Sequence, residues 1–393
     1  MGRRGINIAG MGVICALGRD ASSTLASLRN GQSGLRLPEL TPTSMRVPVG
    51  EVRTSDDDLR RDLGAPGRTT SRTTLLALAA VREALTDSGL TAEQLKDTAL
   101  ISSTTVGGMR ETPLFFTPFA TDNRRGRLRH IAEHECASHT NTVADLLGIG
   151  GWRTTLSTAC SSGANAILLG ATMIEAGMAT RVVAGGADAL CAFTLGGFNS
   201  LKILSREACH PLSAERDGLN LGEGAAYVVL TADETPRSRG RLMGWKNAND
   251  AHHQTAMSDD GRGAQDAMRG AMGKAQVEAG DIGYVNLHGT ATPNNDQSEM
   301  AALVSVWGGE PLPPFGSTKG LTGHTLAAAG AMEAVFCLMA LEEGVAWGNA
   351  GLATPMPGFP PPTARNTPII GNCAMSNSLG FGGNCTSLIF SKP

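Results

Sequence analysis

The sequence predicts a duplicated α/β fold, and three observations carry that expectation. First, the β-prone run Trp152-Arg153-Thr154-Thr155-Leu156-Ser157-Thr158 passes through Ala159-Cys160-Ser161-Ser162-Gly163 into apolar positions at Ala164, Ile167, Leu168, Ala171, Met173 and Ile174, which is helical spacing. Second, the chain repeats itself. Gly163 to Gly177 begins Gly-Ala, carries Glu175 and ends in glycine, and Gly330 to Gly344, of equal length, begins Gly-Ala, carries Glu342 and ends in glycine. Ile101-Ser102-Ser103-Thr104-Thr105 before Gly107 likewise resembles Val285-Asn286-Leu287-His288-Gly289-Thr290, and Leu156-Ser157-Thr158 resembles Phe315-Gly316-Ser317-Thr318. Third, 50 of 393 residues are glycine, against a usual ~7%, which suits tight turns and close backbone approach. Two similar β-α units related by a pseudo-twofold axis are expected, with equivalent turns at one crevice, so that Cys160 faces the turn at 319–324. Two copies are too few for a solenoid.

Length and composition bound the function. A chain of 393 residues allows two or three domains and buries roughly three quarters of its unfolded surface without staples. A net charge of −3 argues against a globally basic nucleic-acid binder. The 8 cysteines include no C-x-x-C pair, so neither a zinc site nor a disulfide framework is expected, and a reducing cytoplasm is the default. No secretory signal is expected from the start of the chain. No apolar run reaches the ~18 residues of a membrane span.

The elements follow in order. Residues 6–15 read as a buried strand closed by Gly18, and 21–30 as a short helix ended by Gly31. Residues 37–69 are Pro- and charge-rich and read as loop with short pieces. A helix is expected from 71 to 88, stopped by Gly89, then a strand at 98–103. Residues 112–135 carry Phe115, Phe116 and Phe119, followed by Arg124, Arg125, Arg127 and Arg129. That basic run is either a dock for an acidic partner or phosphate, or a plain solvated loop. Residues 181–186 and 227–230 read as central strands. Between them Arg216, Asp217 and Glu223 read best as paired charges supporting a turn.

Cys160 sits where a strand turns into a helix, where unpaired N–H groups and the positive dipole end favour a thiolate, the nucleophilic form. Of the 8 histidines, only His288 and His324 lie at strand-to-turn or turn-to-helix junctions among Gly and Thr, where α/β sheets place functional groups. A cysteine with two histidines and no acidic third member does not suit a hydrolase, which needs an oriented single base. Two neutral imidazoles offering donors suit the stabilisation of a thioester enolate formed as a carboxylate leaves.

With these residues in view, the chain resembles the β-ketoacyl-acyl-carrier-protein synthases of the elongating (synthase I/II) type, in the thiolase superfamily. The matching motifs are Ser157-Thr158-Ala159-Cys160-Ser161-Ser162-Gly163; Arg216-Asp217-Gly218 with Gly222-Glu223-Gly224; and His288-Gly289-Thr290-Ala291-Thr292-Pro293. Ser317-Thr318-Lys319 through Gly323-His324 to Glu333, and Asn377-Ser378-Leu379-Gly380-Phe381-Gly382-Gly383, complete the set. The resemblance implies a thiolase-like, duplicated five-layer α-β-α-β-α architecture with mixed sheets. Residues 1–245 would form the half carrying the nucleophile, with an insertion around 112–150, and 246–393 the half carrying both histidines.

It further implies that Cys160 accepts an acyl group and that His288 and His324 promote decarboxylation of a malonyl thioester and hold the enolate. The N–H groups of Cys160 and Phe381 would form the oxyanion hole, with Phe381 gating the acyl channel and Gly380 and Gly382 beside substrate. Lys319 would pair with Glu333 in a buried ion pair that positions His324. Thr290 and Thr292 would hydrogen-bond the phosphopantetheine arm, which arrives on an acyl carrier protein, so no resident cofactor or metal is implied. Partners would be that carrier, acyl and malonyl thioesters, and a second like or related subunit.

The departures lie in the gate and acyl pocket: Leu379 stands where a second Phe is usual, Asn384-Cys385 replaces Thr-Asn, and 112–150 fits poorly. Fatty acid elongation and secondary-metabolite polyketide elongation both remain open, as do two alternatives: a catalytically modified chain-length or priming partner of a ketosynthase heterodimer, and a thiolase-like acyl transferase.

Overall fold

A computed structural model describes residues 5–65, 70–233, 238–352 and 354–393. Ten strands make the main sheet: β1 (Ile6–Cys15), β2 (Ala99–Ser103), β3 (Arg153–Leu156), β4 (Arg181–Asp188), β5 (Gly224–Thr231), β6 (Gly240–Asn249), β7 (Ile282–Asn286), β8 (Phe315–Gly316), β9 (Cys373–Gly380) and β10 (Asn384–Ser391). The helices that matter below are α1 (Ala21–Arg29), α2 (Asp56–Leu63), α3 (Arg72–Ser88), α4 (Thr112–Thr121), α5 (Cys136–Leu147), α6 (Ser162–Glu175), α7 (Ala192–Ser200), α8 (Arg262–Ala275), α9 (Pro293–Trp307), α10 (Lys319–Thr322) and α11 (Ala329–Glu343).

Strand order is β8-β7-β9-β10-β6-β1-β5-β4-β2-β3, so β6–β10 repeat β1–β5 strand for strand. In each half four strands run in one direction and one runs against them: β3, β2, β4 and β1 are matched by β8, β7, β9 and β6, and the reversed β5 by β10. The halves are not separate sheets. Ile6 pairs with Leu242 and Ile8 with Gly240, which joins β1 to β6 and makes one continuous sheet. A division at 245/246 would fall inside β6, which pairs along its length with β10 and at its start with β1; by strand order the second half begins at Gly240.

Helices complete five layers. α3 and α5 cover the first half-sheet, α8 and α9 cover the second, and α6 and α11 lie between the two. The middle position explains the composition of α11: every residue from Ala329 to Leu341 is buried, so the helix is apolar all round except for Glu333. Its close approach to α6 depends on two glycines at equivalent places in the repeat. A Cβ on Gly163 would lie 2.7 Å from Ala331 N, and one on Gly330 would lie 2.8 Å from Ala164 N.

Two segments differ from the sequence expectation. Within 37–69, α2 is a true helix, begun by Ser55, whose Oγ accepts from Asp58 N, and ended by Gly64 in the left-handed region. Residues 66–69 lie outside the described residues. Within 112–150, α4 and α5 are helices; α4 has no buried residue and carries Pro118 inside it.

Candidate active site

β3 ends at Leu156 and α6 begins at Ser162, and the turn between them is held by Thr158 N donating to Ser162 Oγ at 2.8 Å. Ala159 takes φ +54°, a left-handed conformation that costs a residue with a Cβ about 1–2 kcal/mol. That strain points Cys160 into the molecule, where it is buried. The expectation of a thiol lowered by the helix start is corrected here. Burial pushes the Cys160 thiol up to about 12, with the Lys319 charge and a hydrogen bond from Phe381 N–H pulling the other way. Cys160 precedes the N-cap residue Ser161, so it lies outside the first helical turn.

His288 follows β7, and the Glu299 carboxylate of α9 holds that turn, accepting from His288 N and Gly289 N, each at 2.8 Å. His324 follows α10, with His324 N donating to Asn220 O at 2.7 Å and Gly222 N donating to His324 O at 2.9 Å. The two rings meet edge to face with centroids 5.2 Å apart. Each Nδ1 is an acceptor: Lys319 Nζ lies 3.3 Å from His288 Nδ1, and Leu326 N donates to His324 Nδ1 at 3.3 Å. The network therefore assigns the proton to Nε2 in both rings. Burial and the Lys319 charge hold both imidazoles well below their ordinary range, so they are neutral donors.

Lys319 donates to Glu333 and to His288 O, the latter at 2.5 Å, and both charged side chains are buried. The ion pair is there, but the ring Lys319 touches is His288, not the expected His324. The register explains this: Gly316 on β8 sits beside Asn286 on β7, which sets the turn carrying Lys319 against the one carrying His288.

Cys160, His288 and His324 line one cavity of about 380 Å³. Thr290, Thr292, Gly380 and Phe381 line it too, with Leu379 and Phe198. Phe198 of α7 stacks on Phe381 at 5.9 Å between centroids. Gly382 falls outside that lining: its N–H donates to Gln254 O at 2.8 Å, and its φ of +85° is what calls for glycine. Glu223 is buried against Arg72, and Asp217 lies at the cavity.

Three contributors escaped the sequence reading. Glu299 had a legible signal, since it lies on the same helix face as Asp296 just after Thr292-Pro293, which starts α9. Asp188, at the end of β4, accepts from Thr105 N at 2.9 Å and from Ala327 N at 2.8 Å, which ties the loop after His324 to the first half. Phe198 had no periodic signal.

A thiol and two neutral imidazoles, drawn from both halves of a duplicated five-layer fold of the thiolase kind, meet on one cavity. Residues 3–235 match the N-terminal domain of beta-ketoacyl synthase, and residues 239–352 match the C-terminal domain. The chain belongs to the β-ketoacyl synthase family. It is 32% identical over 415 residues to 3-oxoacyl-[acyl-carrier-protein] synthase 2 of Vibrio cholerae serotype O1, covering 100% of both chains. Among solved structures it is similar to the ishigamide ketosynthase/chain length factor, with a TM-score of 0.93 at 28% identity over 100% of both chains. It is also similar to a ketosynthase (ApeO) in complex with its chain length factor (ApeC) from Xenorhabdus doucetiae, with a TM-score of 0.88 at 32% identity, covering 99% of this chain and 98% of that one.

Proposed function

We propose that the chain is a condensing subunit that joins a malonyl unit on a carrier protein to an acyl group held on Cys160. Supporting this above all is the convergence of the Cys160 thiol and two Nε2–H donors on one cavity. In the first half-reaction Cys160 Sγ attacks an acyl thioester, and the N–H groups of Cys160 and Phe381 hold the carbonyl oxygen. The carrier's sulfur leaves and takes up the thiol proton. In the second, the bond from the malonyl α-carbon to its carboxylate breaks, releasing carbon dioxide. The enolate oxygen is held by His288 and His324, and its carbon attacks the Cys160 thioester, expelling the thiolate, which takes a proton from solvent to restore the thiol. Thr290 and Thr292 would bind the pantetheine arm, and Phe381 would gate the acyl channel.

The alternative, a chain-length partner without its own turnover, is favoured by the similarity to ketosynthase and chain-length-factor complexes. Retention of Cys160 with both histidines weighs against it. Intact-mass measurement after incubation with a panel of acyl thioesters separates the two. Condensation predicts one acyl group per chain that is lost in Cys160→Ala. His288→Ala or His324→Ala should lower malonyl decarboxylation roughly 10²-fold while acyl loading survives. No acyl uptake with any thioester, alone or with a related subunit, would leave the chain-length role.

A further inference from the structure

The hairpin that carries Phe381 closes with Gly380 opposite Asn384. It lies against the nucleophile turn so tightly that a Cβ on Gly380 would come within 2.8 Å of Thr158 O and 3.2 Å of Cys160 N. One side chain joins the two pieces. Asn384 Oδ1 accepts from Ser161 Oγ at 2.6 Å, from Asn165 Nδ2 at 2.8 Å and from Asn247 Nδ2 at 2.8 Å. Ser161 directly follows Cys160, Asn165 lies in the first turn of α6, and Asn247 is on β6. A single amide oxygen thus collects donors from the nucleophile turn, the nucleophile helix and the neighbouring strand, and it does so at the foot of the hairpin.

We propose that Asn384 is a positioning residue for acyl transfer, holding the Phe381 N–H in register with the Cys160 N–H so that both reach the same carbonyl oxygen. The inference rests on the acyl-transfer reading above. In that step the bond from Cys160 Sγ to the acyl carbon forms and the bond from the carrier's sulfur breaks. The oxygen carries the negative charge between the two events, and the thiol proton ends on the departing sulfur. Two N–H groups stabilise that oxygen only if their separation is fixed beforehand, and a misplacement near 1 Å costs on the order of 10²-fold. Decarboxylation uses the His288 and His324 donors, which Asn384 does not touch, so the two half-reactions should respond differently.

The test compares Asn384→Leu, which keeps the volume but has no acceptor, with Asn384→Asp, which keeps an acceptor oxygen for the same three donors. Rates of Cys160 acylation are read by intact mass, and malonyl decarboxylation is read on the same preparations. Asn384→Leu should load acyl groups about 10- to 100-fold more slowly with decarboxylation within about threefold of the parent. Asn384→Asp should recover most of the lost loading. Should Asn384→Leu fail to accumulate, Asn384→Ser, too short to reach all three donors, should show the same asymmetry. Equal losses in both half-reactions, or an Asp variant no better than Leu, would overturn the positioning role. Parent protein that takes up no acyl group would overturn the condensing role and this inference with it, whereas a parent that loads normally beside an equally fast Asn384→Leu overturns this inference alone.

Discussion

Lys319 shows how much of the site rests on one cation. Its Nζ touches Glu333, His288 O and His288 Nδ1 at once, and its side chain is 2% exposed. By occupying Nδ1 it leaves His288 only its Nε2 as the proton-bearing atom, and its field helps to keep both rings neutral. Removing one member of a buried pair typically destabilises by about 3–5 kcal/mol, because the other charge is stranded, while removing both is milder. Lys319→Met should therefore lower the melting temperature as well as decarboxylation, and Lys319→Met/Glu333→Leu should regain much of the stability but not the activity. A differential scan of the four proteins checks this. Full stability in the single variants with loss of turnover alone would move Lys319 from support to direct contact with substrate.

Helix α4 and the basic run after it leave apolar and basic side chains on the surface. α4 buries none of its residues, yet it carries Leu114 and Phe116, 57% and 59% exposed, and Phe115 stacks on Phe119 at 5.2 Å. The edge strand β3, with exposed Trp152 beside it, ends the sheet in the same half of the molecule. An apolar helix face of this kind fits a second like or related subunit. On that hypothesis Phe116→Asp should shift the protein toward monomer in sedimentation velocity, and an unchanged assembly would exclude α4 from the interface.

The arginines that follow, Arg124, Arg125, Arg127 and Arg129, have one ion-pair contact among the described residues, Arg125 to Asp122 at 3.6 Å. We propose that this run docks an acidic carrier protein. Reversing Arg124 and Arg127 to Glu should raise KM for carrier-borne substrate roughly tenfold, more at low salt, and leave kcat/KM for a small pantetheine thioester unchanged. Equal effects on both substrates would return the run to a solvated loop. These elements also show where the sequence was readable. The strand-to-helix junctions at Cys160 and His324 stood out because small residues interrupt strong periodicity. α4 did not, since two prolines and an all-round apolar composition remove the polar face by which a surface helix is recognised. The contact from Lys319 to His288 was hidden for another reason: it follows from the pairing register of β8 on β7, which no local pattern encodes.

At the scale of the whole molecule, buried imidazoles should weaken the fold in acid. His139 of α5 is 1% exposed; its Nδ1–H donates to Cys136 O at 2.6 Å, and its Nε2 faces Ser102 Oγ at 2.6 Å, which in turn meets Tyr227 OH at 2.5 Å. Burial takes this ring from 6.5 down to about 4, opposed by its hydrogen bond to Cys136 O and then by the Glu133 charge, and burial lowers His288 and His324 as well. Above pH 6.5 the folded and unfolded chains both keep His139 neutral. As the pH falls toward 4, the unfolded chain binds a proton that the folded chain refuses, so stability declines across that window. Melting temperatures between pH 7.5 and pH 5 should fall for the parent and fall less for His139→Gln. A parallel decline in both would exclude His139 as a cause.

The reciprocal approach of Gly163 and Gly330 has a consequence for the order of synthesis. α6 and α11 shield each other, yet α6 leaves the ribosome while α11 is still untranslated, since the whole stretch 176–328 separates the two helices. At about 5–20 residues per second, that leaves the inner face of α6 without its cover for on the order of 10–30 s. The first half is made before the layer that will close it exists. Nascent chains of this protein should therefore depend on a holding chaperone during that interval, and Cys160 cannot be given its final surroundings until the last strand, β10, has been released and paired.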